Sequence, residues 1–378
     1  MNWKKVKLGK ICKNLDGKRK PLNNIERQKI RGNGAYPYFG ANNIMDWVDE
    51  FIFDEKILCI AEDGGSWGSN QKCCFIYEGK CWVNNHAHVL KSNEDTSLEF
   101  LMYYLNYSNL NSYITGSTRG KLTKSSLESI EIPLPDLTTQ QHIAKVLDQA
   151  DALRQQNRQL LAHYDELLQS TFIDLFGDPV KNEKGWEVKK LGEVSEVVSG
   201  VAKNGNLNGD LVEAPYMRVA NVQDGQLNLS EIKTIQVFKR DFEKYQLKYN
   251  DILMTEGGDP DKLGRAAIWK EQIKNCIHQN HIFRVRPDFA ILDSGYLCLL
   301  VGSAYGKRYF LKAAKQTTGI ASINITQLKN FPVILLPLPL QQHFAQIVEQ
   351  IEDQKAVVKQ SLAETEVLFE GLLAEYFG

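Results

Sequence analysis

The chain has 378 residues, and its 45 Lys and Arg against 46 Asp and Glu give a formal net charge of −1. A hydrophobic content of 43% and a charged content of 24% are ordinary for a soluble globular protein. The near-neutral balance excludes a basic field over the whole molecule, so a nucleic-acid contact would need positive charge gathered on one face.

The length predicts two or three domains. The seven cysteines are an odd number, and no apolar run follows Met1 that could serve as a signal peptide. We therefore expect reduced thiols and a cytoplasmic protein. The most apolar run, residues 331–340, is short and contains three prolines, so no membrane span is predicted.

Residues 1–138 predict a first mixed domain of short strands and few helices. Apolar, β-branched and aromatic residues cluster there in short runs that are bounded by turn residues. The predicted strands are residues 51–54, 57–61, 73–77 and 87–90. A Gly-rich polar loop at 62–70 follows the second strand, and a helix is predicted at 98–107.

Residues 140–177 predict one long helix, because the stretch contains no Pro and its apolar residues are spaced by three and four. Those apolar residues are Ile143, Val146, Ala150, Leu153, Leu160, Tyr164 and Leu167. About 37 residues at ~1.5 Å each would make a rod of roughly 55 Å. A helix with so narrow an apolar stripe is marginal alone, so a packing partner is expected.

A second copy of this stretch occupies residues 341–378, and such repeats decide an architecture. Both copies open with Gln-Gln-His and close on Phe-Gly. The apolar positions of the second copy are Phe344, Ile347, Ile351, Val358 and Leu368. The two helices are therefore predicted to pack on each other. Three polar residues fall at predicted core positions, where such residues set the register: Asn157, Gln354 and Ser361.

The rest of the sequence repeats in the same way, although more loosely. Residues 3–9 and 186–192 share the spacing Trp-x4-Leu-Gly, and the dipeptide Pro-Tyr recurs at 37–38 and 215–216. An apolar, strand-like run with Pro-Leu-Pro precedes each long helix. The chain is thus predicted to consist of two duplicated halves.

This combination of motifs resembles the specificity (S) subunits of Type I restriction-modification enzymes and covers nearly the whole chain. It consists of the domain openings, the Pro-Leu-Pro and Gln-Gln-His entries to the helices, their Phe-Gly ends, and the order variable, helix, variable, helix. The resemblance implies an α+β fold with an internal pseudo-twofold repeat. Two globular mixed α/β target recognition domains would be separated by two long helices that form an antiparallel coiled coil. The four segments are residues 1–138, 139–178, 179–338 and 339–378.

The resemblance also implies a function. Each target recognition domain would recognise one half of a bipartite, asymmetric site in double-stranded DNA, while the coiled coil sets the spacer and docks two methyltransferase (modification) subunits. Restriction subunits would join through this complex. S-adenosylmethionine, Mg2+ and ATP would be bound by the partner subunits and no cofactor by this chain. A specificity subunit of a methyltransferase-only system would show the same sequence features.

Locally gathered Lys and Arg are candidate phosphate contacts, because DNA affinity depends on neutralising phosphates. Residues 4–31 hold eleven Lys and Arg with two acids. The predicted contacts are Lys18, Arg19, Lys20, Arg119 and Lys121 in the first domain and Lys203, Arg265, Lys307, Arg308 and Lys315 in the second. The plainer interpretation is that charge runs form a solvated surface.

Polar loop residues are candidates for base recognition, which needs side chains that donate and accept, or Arg for guanine. These candidates are Asn42, Asn43, Ser69, Asn70, Asn84, Asn85, Arg218, Asn221 and Asn280. The alternative is that Asn in a loop stabilises a turn. Trp67 lies between two glycines and is predicted either to stack on a base or to be buried against its own loop.

The sequence lacks catalytic motifs. It has no Asn-Pro-Pro-aromatic motif of amino-methyltransferases, and residues 302–308 fall short of a phosphate-binding loop. His86 and His88 follow Cys81 without the paired Cys spacing of a zinc site, so no metal is predicted. We therefore expect a non-catalytic DNA-binding subunit. Two rivals are a coiled-coil assembly scaffold without DNA recognition and an enzyme with its site in the 62–70 loop.

Overall fold

The computed structural model describes residues 3–116, 119–202, 209–259, 263–317 and 320–378. Contacts along the chain divide it into two units, Met1–Leu161 with Val358–Gly378, and Ala162–Val357. Each unit contains one variable domain together with a part of each long helix. No helix in the described ranges is both long and apolar enough to span a bilayer.

The first unit contains short strands, short helices and the start of one long helix. Its strands are β1 (Lys5–Lys7), β2 (Cys12–Asn14), β3 (Tyr36–Phe39), β4 (Ile44–Val48), β5 (Phe53–Asp54), β6 (Ile57–Ala61), β7 (Cys74–Tyr77), β8 (Lys80–Val83), β9 (Ala87–Ser92), β10 (Ile114–Thr115), β11 (Lys121–Leu122) and β12 (Glu131–Pro133). Its helices are α1 (Leu8–Ile11), α2 (Asn24–Lys29), α3 (Leu98–Tyr107), α4 (Lys124–Ser129) and α5 (Leu137–Phe176), the last of which continues into the second unit.

Two four-stranded sheets, β2-β9-β6-β7 and β4-β3-β8-β5, form the first variable domain. Strand β6 is apolar throughout and buried at every position, as expected for a central strand covered on both faces. Its Leu58 and Ile60 belong to the core cluster that includes Phe100 of α3. Cys59 belongs to a separate cluster with Phe53. The four strands and the helix predicted in this domain are confirmed, with ends that differ by one or two residues.

The second unit contains the remaining elements. Its strands are β13 (Glu187–Lys190), β14 (Ser195–Ser199), β15 (Leu211–Met217), β16 (Lys233–Phe238), β17 (Ile252–Thr255), β18 (Gly257–Gly258), β19 (Ala266–Ile268), β20 (Ile277–His278), β21 (Ile282–Pro287), β22 (Lys315–Thr317), β23 (Ile320–Ser322) and β24 (Pro332–Leu335). Its helices are α6 (Leu191–Val194), α7 (Lys239–Tyr245), α8 (Ser294–Gly302), α9 (Ala304–Ala313), α10 (Ile325–Lys329) and α11 (Leu338–Phe377), which continues into the first unit.

The two variable domains share one topology. The sheet β14-β21-β17-β19 has the strand order of β2-β9-β6-β7, and β16-β15-β20 has that of β4-β3-β8. The pairing directions also agree, since β3 and β15 are each antiparallel to the following strand and parallel to β8 and β20, respectively. The loose repeat in the sequence is therefore a repeat of the fold.

The Trp-x4-Leu-Gly motif closes each domain. Strand β1 pairs with β12, and β13 pairs with β24, so each domain opens beside the strand that leads into a long helix. A Cβ atom on Gly9 would lie 2.8 Å from the Cβ of Glu128, and one on Gly192 would lie 3.0 Å from that of Lys329. Glycine is therefore required because two short helices approach closely at this point.

The first Gln of each Gln-Gln-His motif is fully buried. The Gln140 side chain donates to the carbonyl oxygens of Asp95 and Pro135 at 3.2 and 2.9 Å and accepts from the backbone of Ser97. Gln341 makes the matching set of bonds in the second unit, where it accepts from the backbone of Asp293. Each Gln thereby fastens the start of a long helix to the start of α3 or α8. The His that follows two residues later is exposed in both motifs.

The two long helices pack on each other in opposite directions within each unit. In the first unit, Ile143 and Leu147 near the start of α5 share a core with Phe369 and Leu373 near the end of α11. In the second unit, Phe344 near the start of α11 contacts Phe172 and Phe176 near the end of α5, with ring centroids 5.8 and 4.9 Å apart. The predicted packing of the helices on each other is confirmed.

The predicted register of the helix seam is wrong in part. Leu153, Leu160 and Leu167 were expected in the seam but are exposed, as is Leu368 in α11. The seam instead contains Arg154, whose guanidinium lies 3.8 Å from the ring centroid of Phe369. A charged residue takes a core position here. A prediction from apolar residues alone therefore assigns the seam to the adjacent row of leucines on the helix surface.

The polar seam positions also differ in outcome. Asn157 Nδ2 donates to Ser361 Oγ at 3.1 Å, so these two residues do meet between the helices. Gln354, which was expected in the core, is exposed. Lys355 is the largely buried residue at this level, and its ammonium group contacts Asp165 Oδ1 at 2.8 Å.

Candidate nucleic-acid interface

The Gly-rich loops after β6 and β17 are held in the same way in the two units. The backbone N–H of Glu62 donates to the carbonyl oxygen of His86 at 2.8 Å. The backbone N–H of Glu256 donates to that of His281 at 3.0 Å. In each unit, therefore, the acidic start of the loop lies beside an Asn-His dipeptide.

Asp63 connects the loop of the first unit to the β10–β11 hairpin. Its backbone forms a β-bridge with Lys121, and its Oδ1 accepts from Arg119 Nη2 at 2.9 Å. The same oxygen lies 2.8 Å from His86 Nδ1. The Arg119 side chain is exposed, so its guanidinium is accessible to a phosphate.

A largely buried charged cluster lies beneath this loop. His88 Nδ1 is 2.6 Å from Asp16 Oδ2, and His88 Nε2 is 2.7 Å from the carbonyl oxygen of Leu122. The His88 ring therefore lies between a carboxylate oxygen and a backbone carbonyl oxygen. Arg19 Nη1 contacts Glu62 Oε2 at 2.6 Å.

The carboxyl groups of this cluster are ionised because of their hydrogen bonds. Burial by itself would raise the pKa of Asp16, but hydrogen bonds from His88, Val89 and Asn14 outweigh it and the pKa is lowered. Burial likewise opposes the lowered pKa of Glu62, which follows from hydrogen bonds from Arg19 and Lys121. These carboxylates therefore neutralise basic residues of the same surface.

Asp16, Glu62 and His88 also lie close enough together to hold a metal, with ligand atoms within 4.8 Å of one another. Sequence spacing pointed only to His86, His88 and Cys81, so this grouping was missed. Arg19 and the exposed Lys121 already supply positive charge to the carboxylates, with Lys121 Nζ 2.9 Å from Glu62 Oε1. A divalent cation would have to displace them, and we assign no metal to the cluster.

The second unit has a more open arrangement around its loop. His281 Nδ1 is 2.7 Å from Glu256 Oε2, and both residues are at least partly exposed. Three predicted cations have side-chain partners in the same domain: Arg218 with Glu231 at 3.1 Å, Arg265 with Gln223 at 2.9 Å and Lys307 with Asp224 at 3.0 Å.

The predicted phosphate contacts other than Arg19 fall into three groups. The exposed cations are Lys18, Lys20, Arg119, Lys121, Arg308 and Lys315, and Lys18 is also 3.4 Å from Glu55. Arg265 and Lys307 are half-buried and contact Gln223 and Asp224, respectively. Lys203 lies outside the described residues.

Arg19 is corrected from a phosphate contact to a structural residue. Only 13% of its side chain is exposed, and it contacts both Glu62 and Asp16. It also donates to the carbonyl oxygen of Ala87 at 2.7 Å. With its guanidinium used in this way, Arg19 fixes the loop rather than offering charge to DNA.

Three predicted base contacts are buried and are corrected in the same way. Asn84 accepts from the backbone of His86 at 2.7 Å, and Asn221 donates to the carbonyl oxygens of Asn228 and Glu231. The indole of Trp67 donates to the carbonyl oxygen of Ala61 at 3.2 Å, as in the second of the two predictions for this residue. The polar groups of Asn84 and Asn221 thus hold turns.

The remaining base candidates lie nearer the surface. Asn43, Ser69, Asn70 and Asn85 are exposed. Half-buried candidates are Asn42, whose amide lies against the carbonyl oxygens of Ala41 and Cys73, together with Arg218 and Asn280. The sequence did not single out the two histidine–carboxylate pairs, although the repeated Asn-His dipeptide was their signal.

A sequence profile described as the Type I restriction modification DNA specificity domain matches residues 1–163 and 183–367. Haemophilus influenzae has a protein named as a type I restriction enzyme specificity subunit, S.HindORF215P. It is 27% identical to this chain over 370 residues, which cover 93% of this chain and 88% of that protein. The StySPI specificity subunit of Salmonella potsdam is 26% identical over 78% of this chain and 64% of its own length.

The fold is similar to that of a solved structure. A Type I restriction-modification S subunit from M. genitalium aligns with a TM-score of 0.65 over 100% of this chain and 96% of that one. The sequence identity is 16%, so the comparison concerns the fold alone.

Proposed function

The chain belongs to the Type I restriction modification DNA specificity family, and we propose that each of its variable domains recognises one half of a bipartite site in duplex DNA. One observation carries this proposal. Two domains of the same topology present the same loop with different exposed side chains around it. A shared scaffold with different surface residues suits the recognition of two different half-sites.

The electrostatics support a role within a complex. Many basic residues around the loops are neutralised by carboxylates of the same domain, such as Arg119 by Asp63 and Lys121 by Glu62. Phosphate binding would therefore compete with existing ion pairs, which weakens the affinity of the chain alone. We infer that affinity comes from the assembled complex.

The partners in this proposal are two methyltransferase subunits, with restriction subunits joining the same complex. S-adenosylmethionine, Mg2+ and ATP would be bound by those partners, and methyl transfer would require the target base to be flipped into a partner's pocket. This chain would act without catalysis of its own. The ionised carboxylates of the charged cluster beneath the first loop support that role, because Asp16 and Glu62 are already engaged in hydrogen bonds and ion pairs.

The experiment that tests the proposal is methylation mapping at base resolution. Cellular DNA would be mapped with the chain and its methyltransferase expressed, and again in the same cells lacking only this chain. The expected result is a gapped, two-part motif that disappears with the chain. Unchanged methylation, with both proteins present and associated, would favour an assembly scaffold without DNA recognition.

A further inference from the structure

The edge strand β4 exposes large apolar side chains. Met45 is 52% exposed and Trp47 is 49% exposed, and Ile44 and Phe51 beside them are also exposed. Strand β4 lies at the edge of the sheet β4-β3-β8-β5, and among the described residues no strand pairs with its outer side. Clustered apolar residues at such a position are typical of a surface that binds another molecule.

Strand β4 contains a β-bulge at Met45. Tyr38 pairs with Asp46, and the next residue, Phe39, pairs with Ile44, so Met45 is the extra residue of β4. Bulges often redirect a side chain next to a functional site. Strands β3 and β4 are joined by the short turn at residues 40–43 and form an antiparallel ribbon at the edge of the four-stranded sheet, in which β3 also pairs with β8. The major groove of DNA is wide enough for such a ribbon.

The ribbon is continuous with residues already considered for base recognition. Asn43 is exposed in its turn. The amide nitrogen of the buried Asn84, which holds the turn, lies 3.6 Å from the sulfur of Met45, and the exposed Asn85 follows it. The apolar strand and the polar loop therefore form one surface of the first unit.

Cations and anions are balanced beside the ribbon, and its exposed acids are Glu26, Asp49 and Glu50. Asp46 is neutralised by two arginines, since Arg27 Nε is 3.0 Å from its Oδ2 and Arg31 Nε is 3.4 Å from its Oδ1. Asp49 accepts from two backbone N–H groups of the preceding turn, and Glu26 is held in the capping box of α2. Two further cations, Lys20 and Lys29, are exposed on the same segment.

The equivalent strand of the second unit has different residues at the same register. Pro37 of β3 pairs with Trp47, whereas Pro215 of β15 pairs with Thr234. Thr234 donates to Glu213 Oε1 at 2.6 Å, so this position is polar in the second unit. A feature needed for the fold or for a shared partner would be common to both units, as the buried Gln140 and Gln341 are. A surface whose residues differ between the units is suited to recognising the base sequence, which differs between the two half-sites.

From these observations, and on the basis of the proposed function, we propose that the outer edge of this ribbon, strand β4 with the turn at residues 40–43, enters the major groove of one half-site. Met45 and Trp47 make apolar contact there with the methyl group of a thymine, which is the apolar feature of that groove. A protein partner is the less favoured occupant, because a partner shared by both units would need the same surface in each, whereas Trp47 and Thr234 differ at this register.

The test uses the complete complex with its methyltransferase and maps the methylated motif for the double variant Met45→Thr with Trp47→Thr. Threonine is compatible with the strand, since Thr234 occupies this register in the second unit. The variant is expected to lose specificity at one or more base pairs of one half-site, with the other half-site and the spacer unchanged. Trp47→Phe retains an aromatic side chain and is expected to keep the motif. Val188→Thr, at an exposed apolar strand position of the second unit, is the matched control.

A second measurement identifies the contacted group. Duplexes in which single thymines of that half-site are replaced by deoxyuridine, which lacks the methyl, would be methylated by each complex. Wild type is expected to lose about fourfold in rate at one position, as for one methyl-sized apolar group. The double variant is expected to show no such loss.

Several outcomes would overturn the proposal. They are an unchanged motif, a half-site without a sensitive thymine, and the loss of methyltransferase from the variant complex, which would indicate a protein contact. An unchanged motif in the variant leaves the proposed function intact, because that function depends on removal of the whole chain.

Discussion

Gln140 Oε1 accepts the backbone N–H of Ser97 at 2.9 Å, and Ser97 is the N-cap residue of α3. One side chain therefore connects the start of the long helix α5 with the start of a helix in the variable domain. The same bond joins Gln341 to Asp293, the N-cap residue of α8.

Replacing Gln140 with Ala should destabilise the first unit. The buried N–H of Ser97 would lose its partner, as would the less buried carbonyl groups of Asp95 and Pro135, and an unsatisfied buried group costs about 1–3 kcal/mol. We expect the free energy of unfolding to fall by about 2–4 kcal/mol, measured by urea unfolding of the whole chain. Gln141→Ala removes an exposed neighbour and should change it by less than about 0.5 kcal/mol. Equal effects of the two variants would contradict the role of Gln140.

Replacing Arg154 with Ala should weaken the helix seam. The variant loses the contact with Phe369, and a largely desolvated cation–π contact is worth about 2 kcal/mol. Arg158→Ala is the matched control, because that arginine is exposed and its ion pair with Glu366 at 2.7 Å is worth about 1 kcal/mol or less. Thermal unfolding of the two variants side by side would decide. A larger loss for Arg158→Ala would show that the seam does not depend on Arg154.

Acid should destabilise the first unit through Asp16 and Glu62. Both have a pKa below its ordinary value, so their ionised forms contribute stability that is complete above about pH 5. That contribution disappears as the pH falls below about 4 and through the lowered pKa values. The neighbours that cause it are Arg19, Lys121 and His88.

The double variant Asp16→Asn with Glu62→Gln should be less stable at neutral pH and should lose less stability between pH 5 and pH 3. Melting temperatures over that interval would measure this difference. Glu349→Gln, at an exposed ion pair, is the control. Parallel curves for wild type and the double variant would exclude the two carboxylates as the cause.

Replacing Arg119 with Ala should reduce the salt dependence of DNA binding by the complex. One phosphate contact contributes about 0.9 to the slope of log affinity against log salt. We expect the slope to fall by about one, with a loss of affinity that is similar for all sequences. Lys359→Ala, an exposed lysine of α11, should leave the slope unchanged. A change of sequence preference in the Arg119 variant would instead indicate a base contact.

Lengthening both long helices should lengthen the spacer between the two half-sites, if the helices set that spacer as the resemblance to the S subunits implies. Seven residues inserted after Leu161 and seven before Val358 keep the heptad register and add ~10 Å of helix. At ~3.4 Å per base pair, the gap in the methylated motif should grow by about three. Substitutions of the same composition without a change of length provide the control. A gap of the original length would show that the helices do not set the length of the spacer.

Local patterns in the sequence predicted the fold well where the physical cause is local. The apolar run of β6 and the long helices, whose repeated stretches 140–177 and 341–378 contain no Pro, were visible because burial and helix formation depend on neighbouring residues. The seam register after Ala150 was not, because Arg154 takes a core position only in contact with Phe369, which is distant in the sequence.

The candidate site was harder to predict for the same reason. Arg19 and Glu62 are 43 positions apart, so nothing near Arg19 in the sequence shows that its charge is already neutralised. The indole of Trp67 finds its acceptor within its own loop, and the prediction left that alternative open. The sequence did not indicate that Met45 and Trp47 are exposed, because an apolar strand residue is normally buried.

The pairing of β1 with β12 has a consequence for how such a chain can change. The polypeptide enters and leaves the first variable domain on adjacent strands, and β13 with β24 does the same in the second. A segment between those strands can be exchanged for one of different length without moving the start of the helix that follows, provided that it keeps the N-cap residue bonded to Gln140 or Gln341. Recombination at the short Leu-Gly and Pro-Leu-Pro motifs would therefore exchange a complete variable domain. A new specificity could then arise in one recombination event rather than by gradual substitution.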